Sequence, residues 1–131
     1  MKRKCKKILS TKDESRAIYI DEENSEEILN YLNQDARHRK KFKFITDIIL
    51  GNLKNTEVYD KEDIDKNCKN ITAMKFFKGQ ENDRIYCKEI TSKKGTFIVI
   101  AAILQERKKT TKLNNQQKTK IKNLANYEYE V

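Results

Sequence analysis

Arg84, Tyr86 and Lys88 occupy alternate positions in Asp83-Arg-Ile-Tyr-Cys-Lys. An extended chain there presents all three on one face and Ile85 and Cys87 on the other. Such a row suits phosphate chemistry. A guanidinium matches phosphoryl oxygens bidentately, which suits Arg84, or Arg107 further along, to stabilising charge on phosphorus. Lys75 becomes a base if cations such as Arg84 and Lys88 lower its pKa, and Tyr86 offers a stacking platform or a proton carrier. Together these are the parts that metal-free RNA cleavage needs: a deprotonated 2′-hydroxyl, a stabilised phosphorane and a protonated leaving oxygen. The same row also fits a solvated strand face.

A second feature lies between Arg107 and Lys122, where seven cations (Arg107, Lys108, Lys109, Lys112, Lys118, Lys120 and Lys122) occur with no acid. The local potential is therefore positive, and Lys108, Lys109 and Lys112, with Lys88, are candidate phosphate contacts. His38 stands inside Arg37-His-Arg-Lys-Lys, where neighbouring cations disfavour its charged form and a solvated helix position is expected. Cys5, Cys68 and Cys87 show no paired-ligand spacing, so neither a metal site nor a cofactor is expected, and Cys87 reads as a small buried apolar residue.

The elements that must position these groups follow from periodicity. Arg16 to Ile20 reads as a short strand. Asn24 with Glu27 forms a capping-box pattern, and Ile28, Leu29, Leu32 and Ala36 recur at helical spacing. Phe42, Ile45, Ile48, Ile49 and Leu53 repeat it around a stop at Gly51, giving two helices or one bent one. Ile71 to Phe77 and Arg84 to Ile90 form an antiparallel pair across the polar loop containing Gly79. A turn at Ser92 to Gly95 leads into Phe97 to Leu104, an unbroken apolar run expected at the heart of the sheet. Asn114 with Gln117 starts a last helix, with Ile121, Leu124 and Ala125 as its apolar stripe.

The chain has 131 residues, 37% apolar and 37% charged, with mean hydropathy −0.93 and net charge +9. One α+β domain over 1–131 is expected, with a basic N-terminal extension at about 1–14. Its longest apolar run is too short to span a bilayer and no signal-peptide pattern follows Met1, so a cytoplasmic protein without a membrane partner is expected. The basic balance points to a polyanion, although only six of the 29 basic residues are Arg, as an AT-rich coding bias would also produce.

Ile71-Thr-Ala-Met-Lys-Phe-Phe, Asp83-Arg-Ile-Tyr-Cys, the apolar strand running into Arg107-Lys-Lys-Thr-Thr-Lys, and a helix ending near Ala125-Asn-Tyr together resemble the RelE superfamily of bacterial toxins, in its HigB-like and phage Gp49-like branch. The resemblance covers about residues 71 to 127. It implies a small antiparallel sheet with two N-terminal helices packed on one face and a short C-terminal helix. It also implies a metal-independent mRNA interferase that cleaves ribosome-bound message and is neutralised by a helix-turn-helix antitoxin encoded beside it. Arg84 matches the family's strand arginine, and Arg107, Lys108 and Lys109 match the basic run after its last strand. The proline that often opens the last helix is Asn114 here, and the late catalytic tyrosine or histidine of many relatives is Leu113. The alternative is a non-catalytic module that holds RNA or a partner protein.

Overall fold

Phe97–Gln105 forms the central strand of a seven-stranded sheet because it alone carries an unbroken apolar run: Ile98 to Ala102 are all at or below 1% exposure. Both faces of that strand must be covered, and they are. The computed structural model describes residues 2–62, 70–106 and 115–131. In chain order its elements are β1 (Arg3–Ser10), β2 (Arg16–Asp21), α1 (Ser25–Leu32), α2 (Ala36–Leu50), β3 (Tyr59–Lys61), β4 (Ile71–Phe76), β5 (Asp83–Thr91), β6 (Phe97–Gln105), α3 (Asn115–Ala125) and β7 (Tyr129–Glu130). The strand order is β3-β4-β5-β6-β2-β1-β7. β2 runs parallel to β6 and β1 to β7, while the other neighbours are antiparallel, and the sheet curls into a half-barrel.

The expected small antiparallel sheet is thereby corrected to a larger, mixed one. The basic stretch expected as an extension is instead strand β1, paired with β2 from Cys5 opposite Asp21 to Ser10 opposite Ala17. Its half-buried positions are Arg3, Cys5 and Ile8, of which only Ile8 is aliphatic, and a register shift between Lys7 and Leu9 breaks the spacing, so no apolar alternation announces it. β2 in turn docks parallel to β6, from Arg16 opposite Phe97 to Ile20 opposite Ala101, which makes the sheet mixed.

One face of the sheet, with Ile18, Ile20, Met74, Phe76, Ile85, Cys87 and Val99, packs against Ile28, Tyr31 and Leu32 of α1 and Ile45 and Ile49 of α2. The other, with Ala17, Ile71, Ala73, Tyr86, Ile98 and Ile100, packs against Ile121 and Leu124 of α3 and against Tyr129. The capping box expected at Asn24 does not form. Asn24 Nδ2 donates to Ala102 O at 2.8 Å, tying α1 to β6, while Asp21 Oδ1 accepts from the amides of Glu23 and Asn24 at 2.9 and 3.2 Å. Asp21 is fully buried and also accepts from Arg3 at 2.8 Å and from the Tyr129 hydroxyl at 2.6 Å, so this carboxylate joins β1, β2, β7 and the start of α1. Burial lowers the Arg3 pKa, but the bond to Asp21 and its charge more than offset this and leave it raised. Among the described residues no helix is long and apolar enough to cross a membrane.

Candidate nucleic-acid interface

The alternation expected on β5 is present, since Ile85 and Cys87 enter the core shared with α1 and α2 while Tyr86 enters the opposite one. What differs is that the Arg84 face is covered. Tyr86 is fully buried beneath α3, so it is no stacking platform. The Arg84 guanidinium pairs with the Glu62 carboxylate, both side chains about 85% buried, and its Nε has no hydrogen-bond partner among the described residues. Lys75, opposite Arg84 in the register, donates from Nζ to Thr56 O at 3.1 Å. Lys88 donates to Ala125 O at 3.1 Å and to Tyr127 O, where α3 ends, and burial lowers its pKa. Lysine at a helix C-terminus meets otherwise orphaned carbonyls and the negative end of the helix dipole. Arg84, Lys75, Tyr86 and Lys88 thus lie on one sheet face, each in internal contacts. Arg107, Lys108, Lys109 and Lys112 lie outside the described residues.

A cationic concavity occurs elsewhere, at the end of this same face beyond α3. A groove of about 620 Å³ has Ala17, Tyr19, Ile90 and Ile98 along its floor, Lys7 and Ser10 of β1 on one bank, Lys93 and Lys94 on the other, and Lys2 and the segment Tyr129 to Val131 at its end. Its banks are fixed by the chain's own hydrogen bonds. In the β5–β6 turn Gly95 adopts φ 91, a conformation that favours glycine, and its amide donates to Ser92 O at 2.9 Å. Ser92 Oγ accepts from the Thr96 amide at 3.1 Å, and Thr96 Oγ1 donates to Glu14 O at 2.9 Å, joining the two hairpins. Lys7 pairs with Glu14 at 2.7 Å, whereas Lys2, Lys93 and Lys94 form no ion pair among the described residues. The sequence signal for this groove is Lys93-Lys94 at a hairpin tip.

A second basic surface follows α2. Arg37, Lys40, Lys41, Phe44 and Phe77 line a shallow hollow of about 550 Å³, with Phe44 46% exposed. The Arg37 guanidinium stacks 3.5 Å from the Phe77 ring centroid and donates to Gln80 and Glu81, so it is already engaged. Phe77 adopts φ 57, in the left-handed region. His38 departs from the solvated position expected of it: it is 6% exposed, with its ring edge-on to Tyr31 and Phe77, each at 4.9 Å. Its Nδ1 lies 2.6 Å from Asp35 Oδ1, which also accepts the His38 amide at 2.8 Å and caps α2. Aromatic packing thus overrides the charge of the surrounding sequence. Cys87 is fully buried, as its neighbours suggested, and burial pushes its thiol pKa upward. Cys68 lies outside the described residues.

Comparison with protein-family models, curated proteins and solved structures finds no match to the chain.

Proposed function

We propose that the protein is a non-catalytic binding module for single-stranded nucleic acid, with RNA as its ligand. The observation that carries this reading is the groove, where Lys2, Lys7, Lys93 and Lys94 outnumber the acids Glu14 and Glu130 and a partly exposed Tyr19 lies on the floor. Phosphates gain from clustered ammonium groups through counterion release, and a base gains from an aromatic floor whatever its identity. An interferase asks for more: a free phosphate-stabilising cation beside a proton carrier. Arg84, Lys75 and Tyr86 are held by Glu62, Thr56 and the α3 layer, so the binding reading needs fewer assumptions.

The test is fluorescence anisotropy with a labelled oligouridine of about ten nucleotides, titrated at several salt concentrations. Lys93→Gln with Lys94→Gln lowers the salt slope by about 0.7 per charge removed. Tyr19→Leu weakens binding about tenfold at low salt by removing one stacked base. Lys40→Gln with Lys41→Gln, on the opposite layer, leaves affinity nearly unchanged. The labelled strand stays intact on a gel throughout. A groove variant with wild-type slope and affinity overturns the reading, and cleavage of the strand returns the chemistry to the interferase.

A further inference from the structure

β1 is eight residues long, yet β7 pairs with only two of them, Arg3 with Tyr129 and Lys4 with Glu130. β7 ends the strand order, so among the described residues no strand lies beside the remainder of β1 on that side. Hydrogen-bond alternation identifies the open groups. The Glu22 amide donates to Lys4 O at 3.0 Å, so the main chain of Lys4 faces β2, and that of Lys6, opposite Ile20, does the same. The Arg3 amide donates to Glu128 O at 2.7 Å, on the opposite side. Cys5 and Lys7 therefore turn their main-chain groups outward; the Lys4–Glu130 pairing takes up the Cys5 amide, whereas Lys7 lies beyond the last residue that β7 covers, just before a register shift between Lys7 and Leu9.

Two observations indicate what this edge accepts. The first is the segment already seated there, Tyr127-Glu-Tyr-Glu, an alternation of aromatic and acid. Arg3 stacks 4.1 Å from the Tyr127 ring, the Tyr129 hydroxyl reaches Asp21, and Cys5 Sγ donates to Glu130 O at 3.5 Å. The second is charge. Lys4, Lys6 and Lys7 are exposed along β1, and Leu9 is 38% exposed. A second copy pairing edge to edge would set these lysines against their own kind, which destabilises a ladder, whereas acids opposite them stabilise it.

We infer that the open edge of β1 from Lys7 to Ser10 docks an extended, acidic segment of a partner protein, which adds a strand in line with β7. Main-chain bonds to Lys7 supply affinity, and acids beside Lys6 and Lys7 supply selectivity. The inference stands without the groove's RNA. Because Lys7 and Ser10 belong to both surfaces, the two ligands compete.

The experiment uses the full chain and a labelled synthetic peptide, Glu-Tyr-Glu-Val-Glu-Val-Glu, beside two controls: its all-lysine counterpart and a version of equal charge interrupted by proline. The acidic peptide binds, both controls fail, and amide exchange slows at Lys7. Proline is tolerated on an edge strand but lacks the outward N–H, so Lys7→Pro weakens binding about tenfold. Lys7→Gln, which keeps that N–H, weakens it less. Should Lys7→Pro fail to fold, the exchange pattern in the unsubstituted protein decides. Equal binding by the proline-interrupted peptide, or protection confined to residues outside β1, overturns the inference.

Discussion

The guanidinium of Arg84 closes on the carboxylate of Glu62, and the two side chains are only 15% and 14% exposed. Removing one partner of such a pair leaves the other charge buried and uncompensated, so Arg84→Ala lowers stability by about 3 kcal/mol. Replacing both, as Arg84→Met with Glu62→Leu, recovers most of that loss. Urea unfolding of the two single variants and the double variant measures it. An Arg84→Ala protein as stable as the parent refutes a structural role for the pair and frees Arg84 for chemistry.

Lys88 holds α3 by its last carbonyls, at Ala125 and Tyr127. Lys88→Ala therefore costs about 1–2 kcal/mol and loosens the α3 layer over Tyr86. The expected signature is faster amide exchange in α3 than in α1, with RNA affinity unchanged. Unchanged exchange in α3 removes the cap, and a large loss of RNA affinity makes Lys88 a phosphate contact.

Asp35 should set part of the acid limb of stability. The hydrogen bond from the His38 side chain, followed by that from the His38 amide, holds its carboxyl below the usual carboxylate range. A carboxyl depressed in the folded state stabilises fully above its unfolded pKa, about 4, and that contribution fades as pH falls through the lower folded value. Asp35→Asn accepts the backbone bond but does not titrate, so its urea midpoint should be lower at neutral pH and fall less steeply in acid. Parallel curves for the two proteins would count against the His38–Asp35 contact.

Cys5 provides a probe at the opposite end of the pH scale. Burial, then the charges of Asp21, Glu22 and Glu130, raise its thiol from 9.0 to about 11. Alkylation of Cys5 by iodoacetamide should climb with a midpoint near that value, not near 9. In this window the folded state holds a proton that the unfolded state has released, so stability falls as pH rises from about 9 towards about 11. A midpoint near 9 would mean that Cys5 stands clear of Glu130 and Asp21.

Much of the layer on α1 and α2 was legible because periodicity and burial agree there. Ile28 and Leu32 face the core with Ile45 and Ile49, and the run from Phe97 fills the central strand. The edges were not legible. β3 and β7 span three and two residues, too short for a pattern, and β1 hides its register among lysines. The candidate site shows the same division. Local alternation assigns Arg84, Tyr86 and Lys88 to one face, but only tertiary structure says that α3 and the tail return to cover it. His38 fails similarly, since Phe77 comes from a distant position to enclose it together with Tyr31 of the preceding helix.

The parallel seam between β2 and β6 imposes an order of assembly. Asn24 reaches Ala102 across 78 residues and Asp21 reaches Tyr129 across 108, so the first hairpin cannot be fully seated until synthesis has passed Tyr129. Until then Ile18 and Ile20, both fully buried in the finished protein, lack their β6 neighbours. High contact order of this kind slows folding, and the nascent β1–β2 hairpin is the part a chaperone would be required to shield.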